Sequence, residues 1–382
     1  MVRSGSDNHN TRVPAYLQLS RALSERIASG FYRADEFLPP ERELAREFGV
    51  SRQSVRQAIG LLREEGMLFP EQGRGTRVLA QPGPASTASN GAAAFRLAAL
   101  IIYRMTGDGS AAIFRGCQEA LAATDHHLIV CETALDTRTR AANEAAHLRK
   151  LIDRGIGGII IYGEPTASNH ALLAEATRRG APVVQIDRSL AGLPYDFVGV
   201  DNRAAAREMT EHLLGLGHRR IAFLSIAPGP STCAERLQGF RDALRERLGA
   251  EEEPEFVAHV PDGSPLHGIA EAWLARLDPP TAVFAVNDRL AVKFIQTLVR
   301  LGVSVPDQVA VVGFDNSRWA EVVTPALTTV EQPFTAIGET AAHLLLDRMS
   351  ARYTGPPRRV LLPTRLVVRQ SCGAAALHAG VG

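Results

Sequence analysis

The chain has 382 residues, 45% of them hydrophobic, enough for two or three domains that each bury a core. A net charge of +1 excludes a uniformly basic nucleic-acid coat. Of 42 basic residues only Lys150 and Lys293 are lysine, a coding-composition bias, so the placement of the arginines matters and their number does not. No apolar run approaches the roughly 20 residues of a membrane helix, and the first 30 residues hold no apolar h-region. The expectation is a cytoplasmic protein without membrane attachment. Cys117, Cys131, Cys233 and Cys372 are scattered, with no CxxC and no histidine at metal spacing, and read as reduced thiols.

After a polar tail (1–12), residues 13–79 read as a small helical unit. Leu19, Leu23 and Ile27 recur every four residues, with Gly30 placed as a helix C-cap. A second short helix follows "LPP", turns Leu44, Ala45 and Phe48 inward and ends at Gly49. Ser51 is placed to N-cap a third helix, with Val55, Ile59 and Leu62 on one face and Gly66 closing it. "MLFPEQGRGTRVLA" then predicts two short strands around a Gly73–Gly75 turn.

Residues 80–95, "AQPGPASTASNGAAAF", have the uncharged Pro/Gly/Ala/Ser composition of a linker. As a random coil, 16 such residues span about 20–24 Å. From Leu97 onward, short apolar runs alternate with helical stretches: "RLAALIIY", "HLIVCE", "IGGIIIY", "PVVQID", "DFVGV", "RIAFLS", "TAVFAV" and "VAVVGF". The pattern predicts an α/β fold of βαβ units, with parallel sheets covered on both faces. Residues 96–370 are long for one such sheet and predict two doubly wound lobes, with a ligand cleft at the carboxyl ends of the strands.

On the third helix, the inward face of Val55, Ile59 and Leu62 leaves Arg52, Gln53 and Arg56 on the opposite surface. Arg forks onto guanine O6 and N7, and Gln onto adenine N6 and N7. An Arg/Gln face alone also fits an ordinary solvated helix. The series of two helices, an N-capped basic helix and a basic glycine hairpin points to a nucleic-acid reader, with Arg74 at the tip reaching minor groove or phosphate. "LPPERELAREFGVSRQSVRQAIGLLREEGMLFPEQGRGTRV" closely resembles the winged helix-turn-helix of GntR-type transcription regulators over about residues 13–79. That resemblance implies DNA contacts from Arg42, from Ser51, Arg52, Ser54 and Arg56, and from Arg74 and Gly75 in the wing; Gln53 joins them from the helix reading. Pro40 replaces the usual Ser before "ERE", which removes an N-cap worth about 0.5–2 kcal/mol. Glu41 and Glu43 still favour that helix start electrostatically.

In the long segment, Asp187 ends one strand, Arg236 follows the next in "AERLQGF", and Asp315 ends another in "VVGFDNS". A carboxylate and a guanidinium facing one cleft grip vicinal hydroxyls, one accepting and the other donating. Each residue alone also fits a cap or a salt bridge. "VGVDN", "HLLGLGHRRIAFL", "RLQGFRDAL", "AVFAVNDRLAV", "VAVVGFDN" and "PALTTVEQP" resemble the effector-binding core of LacI/GalR regulators, itself similar to periplasmic sugar-binding proteins, over about 97–370. The resemblance implies ligand contacts at Asp187, Arg236, Asn287 and Asp315, and also at Tyr162, Asp108 and Ser110. It places Asp187 and Arg236 on one lobe, with Asn287 and Asp315 on the other and the hinge. "VPDGSPLHG" has no tryptophan, so no aromatic platform is identified. A GntR-type head on such a core resembles the layout of AraR-like arabinose repressors, and implies a homodimer on a near-palindromic operator.

Two rival classes share parts of this pattern. A transport binding protein shares the core fold but has no use for residues 13–79. An enzyme would need a motif, and GxSxG, the P-loop, HExxH and a strand followed by GxGxxG are all missing; "GDG" at 107–109 is a lone weak match. No cofactor and no metal site are expected. The reading is a ligand-responsive repressor of a carbohydrate-use operon; the alternative is a corepressed or activating regulator that senses a nucleoside or sugar phosphate.

Overall fold

The structure, a computed structural model, describes residues 15–28, 31–32, 36–64, 67–71, 75–79, 96–133, 137–163, 166–189, 193–227, 229–249 and 256–374. Gly30, Gly66, Gly73, Arg74 and the segment 80–95 lie outside the described residues. The chain divides into two compact units, Met1–Ala92 and Ala93–Gly382.

In the first unit, α1 (Ala15–Ala28), α2 (Glu41–Glu47) and α3 (Arg52–Glu64) precede an antiparallel hairpin of β1 (Leu68–Glu71) and β2 (Gly75–Val78). The four-residue spacing puts Leu19, Leu23 and Ile27 on one side of α1, where they join Leu44, Val55, Ile59, Leu62, Leu68 and Val78 in a single buried cluster. Gly49 follows α2 with φ +65°, which glycine adopts without steric cost. No side chain caps α2 at Pro40. Ser51 Oγ does cap α3, accepting the Ser54 backbone N–H at 3.1 Å.

Among its described residues the second unit carries twelve further strands: β3 (Arg96–Ile102), β4 (His126–Glu132), β5 (Gly158–Ile161), β6 (Val183–Ile186), β7 (Asp196–Val200), β8 (Ile221–Ile226), β9 (Val257–Val260), β10 (Ala282–Ala285), β11 (Ala310–Val312), β12 (Thr329–Glu331), β13 (Arg359–Leu362) and β14 (Arg365–Val367). Six form a parallel sheet in the order β13-β7-β6-β5-β3-β4, and four form a second, β11-β10-β8-β9. These two sheets are the cores of a first and a second lobe. β12 and β14 pair antiparallel. The interleaved helices are α4 (Asp108–Leu121), α5 (Thr137–Asp153), α6 (Ala167–Arg178), α7 (Asn202–Gly215), α8 (Ser231–Leu248), α9 (His267–Leu274), α10 (Asp288–Arg300), α11 (Arg318–Val322) and α12 (Phe334–Met349).

Strand β3 shows why the runs are continuously apolar. Ala98, Leu100 and Ile102 pack against Ile113 of α4 and Ile337 of α12, while Ala99 and Ile101 meet Leu148 and Leu151 of α5 on the other face. Helices α4 and α12 cross closely. A Cβ on Gly116 would stand 1.9 Å from the Thr335 carbonyl oxygen, and one on Gly338 would stand 2.0 Å from that of Ile113. The crossing fixes the start of α4, where Asp108 and Ser110 lie. All four cysteines are buried free thiols. Among the described residues no helix is long and apolar enough to cross a membrane.

The chain passes between the lobes three times: from β7 into α7, from β12 into α12, and from β13 to β14. One carboxylate secures the return to the first lobe. Asp196, at the start of β7, accepts from Arg348 of α12 at 3.0 and 2.8 Å and from the Arg358 backbone N–H at 2.7 Å. Burial pushes this carboxyl upward, but the bonds from Arg348 and Arg358 prevail and hold it below the usual carboxylate range.

Asp196→Ala is expected to cost about 3 kcal/mol at pH 7, the lower end for removing one partner of a buried charge pair, because both arginines stay partly exposed. Since the folded pKa is depressed, the stabilisation is complete above about pH 4 and is lost as pH falls through the folded value. Urea unfolding should therefore show a gap between wild type and variant that narrows in acid. Equal midpoints at pH 7 contradict this.

Candidate functional site

The first candidate site is the outer face of α3. Val55, Ala58, Ile59 and Leu62 are buried, and Ser51, Arg52, Gln53 and Arg56 are exposed on the other side; Ser54 is half-buried. Arg42 on α2 and Gly75 at the start of β2 are exposed as well, and Arg74 lies outside the described residues. Ser51 and Ser54 lie with their hydroxyl oxygens 3.0 Å apart. Arg56 Nε donates to Glu41 Oε2 at 2.7 Å, with side-chain exposures of 70% and 39%. A pair this exposed contributes about 0–1 kcal/mol. It orients Arg56 without committing it, so the guanidinium can be released to a stronger acceptor.

The second site is a cleft of about 680 Å³ between the carboxyl ends of the two sheets. Asp108, Ser110, Tyr162, Asp187, Arg236, Asn287 and Asp315 all line it. One expectation needs correction. Asp187 follows β6 of the first lobe, whereas Arg236 lies on α8, behind β8 of the second. The chain has crossed between lobes after β7, so the strand preceding Arg236 belongs to the other sheet. Asp187 therefore faces Arg236, Asn287 and Asp315 from the opposite wall.

Arg236 and Asn287 are held by their own lobe. Arg236 is buried; its Nε donates to Asn202 Oδ1 at 2.9 Å and its NH1 to the Val286 carbonyl at 2.7 Å. Its guanidinium stacks 3.7 Å from the Phe314 ring centre and lies 3.6 Å from Asp315. Asn287 uses its side-chain oxygen to cap α10, accepting the Leu290 N–H at 2.9 Å. Burial pushes the Tyr162 phenol well above the usual range; Arg188 opposes this and the neighbouring Asp187 carboxylate adds to it. Asp108 is occupied across the cleft, accepting the Arg318 backbone N–H at 2.9 Å and the Arg318 Nε at 3.2 Å. Asp108 thus ties the lobes together and is not an open acceptor.

Both carboxylates at the strand ends have left-handed backbones, with φ 59° at Asp187 and 117° at Asp315. Such conformations cost on the order of 1–3 kcal/mol and persist where the surroundings enforce them. Buried Asp288 accepts the Ser317 backbone N–H at 2.6 Å and the Thr329 hydroxyl at 2.5 Å. Burial raises the carboxyls of Asp288 and Asp315; repulsion from Asp315 adds to this at Asp288 and repulsion from Asp187 adds to it at Asp315, while Arg236 pulls Asp315 back down.

The sequence reading missed two cleft residues. Gln332, at the β12–α12 crossing, donates to Asp315 Oδ1 at 2.8 Å, and its side-chain oxygen is buried without a hydrogen-bond partner among the described residues. It stands in the "VEQP" already singled out, but only recognition of β12 as a crossing strand would have placed it. Trp319 of α11 lines the cleft at 51% exposure, with Arg318 5.3 Å from its ring centre. This is the aromatic surface not identified in "VPDGSPLHG". Of the two tryptophans, Trp273 is a core residue, so a Trp beside Arg318 was an available signal. Among the described residues no cluster suits a metal ion.

Arg236→Ala should destabilise the second unit by about 2 kcal/mol at pH 7, less than the 3–5 kcal/mol of a fully buried pair because Asp315 keeps 30% exposure. The folded pKa of Asp315 is already raised, so losing its counter-charge penalises the ionised form most and the deficit shrinks as pH falls. Thermal unfolding at pH 7 and pH 5 measures this; a deficit that grows in acid would contradict it.

Both parts of the chain resemble known proteins. Residues 15–78 match the bacterial regulatory proteins of the gntR family, and residues 210–372 match the periplasmic binding protein-like domain. The arabinose metabolism transcriptional repressor of Geobacillus stearothermophilus is 30% identical over 369 residues, covering 94% of this chain and 98% of that protein. The HTH-type transcriptional repressor CytR of Escherichia coli is 30% identical over 265 residues, covering 69% of this chain and 75% of that protein. A LacI family transcriptional regulator from Enterococcus faecium with bound ribose superposes with a TM-score of 0.61 at 26% identity, covering 72% of this chain and 98% of that one. Family and fold coincide in a ligand-responsive regulator rather than an enzyme. The chain belongs to the family of bacterial transcriptional repressors that join a GntR-type winged helix-turn-helix to a periplasmic-binding-protein-like effector domain.

Proposed function

We propose that this regulator is a cytoplasmic homodimer that represses a carbohydrate-use operon and is released from a near-palindromic operator by a small carbohydrate-like effector. The observation that carries the reading is the cleft itself. Asp187 from one lobe and Arg236, Asn287 and Asp315 from the other converge on one enclosed space from separately braced positions. Carboxylates that accept and guanidinium or amide groups that donate suit a polyol, whose hydroxyls do both. The bound ribose of the Enterococcus regulator and the arabinose metabolism that the Geobacillus relative represses support a sugar class without fixing which sugar.

In this reading residues 13–79 read DNA, 80–95 link, and 96–370 bind the effector and dimerise. Arg42, Ser51, Arg52, Gln53, Ser54, Arg56, Arg74 and Gly75 form the DNA-contacting set. One recognition helix reads only a few base pairs, so two-fold pairing doubles the reading and calls for a palindromic site. A ligand held by both walls favours the closed cleft and shifts the equilibrium only by its differential affinity for that form. Asp187 and Arg236, being on opposite lobes, make such a differential grip available.

Two measurements test the reading. In gel shifts with scrambled competitor, Arg52→Ala and Arg56→Ala are each expected to lose about 1–3 kcal/mol of base discrimination. Unchanged discrimination in both would remove α3 from the reading surface. In operator titrations, saturating effector should weaken binding roughly 5- to 150-fold, a coupling of about 1–3 kcal/mol, and Asp187→Ala should abolish that response. Tighter operator binding with effector would make the protein a corepressed regulator instead.

A further inference from the structure

The charges of the cleft are unevenly divided between its walls. On the first-lobe wall, β3, β5 and β6 are adjacent in the sheet, so the residues that follow them stand side by side at about 4.8 Å per strand. They are Tyr103 and Arg104, then Tyr162, then Asp187 and Arg188, and all line the cleft. Arg140 joins them from α5, only 8% exposed, with its guanidinium 3.7 Å from the Tyr103 ring centre. Arg104 lies 5.9 Å from the same ring centre, and Arg188 lies 4.3 Å from that of Tyr162. Three guanidinium groups are thus gathered around two neighbouring phenol rings.

One carboxylate of this wall is engaged: Asp108 is bound by Arg318 from the opposite lobe, while Asp187 stands between Tyr162 and Arg188 on the wall. Arg104 Nε is shut off from solvent and has no hydrogen-bond partner among the described residues. Arg140 and Arg188 have further contacts within the chain; the inference needs only their charge and their place on the wall. On the second-lobe wall Arg236 and Arg289 pair with Asp315 and Asp262, and Glu331 pairs with Arg365. The planar guanidinium fork suits carboxylate or phosphate oxygens.

We infer that the effector is an acidic sugar, a polyol bearing a carboxylate or a phosphate, with its anionic end on the Arg104–Arg140–Arg188 wall and its hydroxyls toward Asp187 and Asp315. This inference rests on the proposed sugar-released repressor and names the ligand's charge. A neutral sugar satisfies the hydroxyl-binding groups but brings no counter-charge to the arginine wall. An anion supplies the acceptor that Arg104 Nε lacks and offsets the positive charge gathered at the strand ends.

Calorimetric titration of the full chain with matched probes tests the inference: D-galactose, D-galacturonate and D-galactose 6-phosphate, then the corresponding D-glucose set. At least one acidic probe is expected to bind at least tenfold more tightly than its neutral parent. Raising salt from about 50 to 300 mM should weaken the acidic probe several-fold and leave the neutral one nearly unchanged. A tighter uronate assigns a carboxylate, and a tighter phosphate ester assigns a phosphate. Arg104→Gln and Arg188→Gln should each reduce the acidic preference at least fivefold. Neutral sugars that bind as tightly as their acidic partners overturn the inference, and so does a preference that survives both substitutions. If a neutral sugar binds and releases the operator, the repressor reading stands and only the anionic assignment falls; if no probe of either kind binds, both fall. Should a variant not fold, the wild-type preference and its salt dependence decide the matter alone.

Discussion

A parallel sheet covered by helices on both faces has only its strand ends free to carry chemistry, and the second unit applies this constraint twice. Its six-stranded and four-stranded sheets are linked by three crossings, so that two carboxyl-end edges border the same space. The buried charged groups Asp187, Arg236 and Asp288 collect there. The left-handed backbones of Asp187 and Asp315, the buried Asp288 and the stacked Arg236 are tolerable because their helices and strands are packed too tightly to relax. A cleft built in this way is preorganised on each wall, and only the distance between the walls is left to vary.

The ties across that distance are few and specific. Asp108 and Arg318 join α4 to α11, while Gln332 at a crossing reaches Asp315. The second α4 tie, its close crossing with α12 through Gly116 and Gly338, is rigid. Motion of the first-lobe wall therefore carries Asp108 and the α4–α12 pair together, and a ligand that spans Asp187 and Arg236 competes in the same gap as the Asp108–Arg318 pair. In the proposed function this is where effector binding does its work: two conformations of near-equal energy, separated by a small number of polar contacts, are what a small molecule can shift.

Much of this was legible in the sequence, and the limits have physical causes. Strands β3, β5 to β8, β10 and β11 announce themselves as continuous apolar runs because both faces of their sheets are buried, and β4 reads as an apolar run although it is half-exposed. β9, β12, β13 and β14 escaped notice; β12 is only three residues long. β9 and β14 are half-exposed and β13 alternates exposed and half-buried residues; β13 is defined by pairing with β7, far back along the chain. The seven cleft residues were found through resemblance, and the structure brings them into one space. Their division between lobes was misread, because local sequence does not reveal that the chain changes sheets between Asp187 and Arg236. Gln332 was invisible for the same reason, since it owes its place to a long-range crossing, whereas Trp319, beside Arg318, left a signal that was passed over. In the head, the apolar face of α3 dictates the exposed one, so Arg52, Gln53 and Arg56 followed directly from periodicity. Glu41 as the partner of Arg56 did not, since it depends on the angle between α2 and α3.

The central claim is that occupation of the cleft and release of the reading helix are two sides of one equilibrium. Hydrogen–deuterium exchange of the operator-bound protein, with and without a cleft-binding sugar, measures both at once. The account predicts slower exchange around Tyr103–Arg104, Asp187–Arg188 and Asp315 together with faster exchange along α3 as it leaves DNA. Protection in the cleft with α3 unchanged would contradict it.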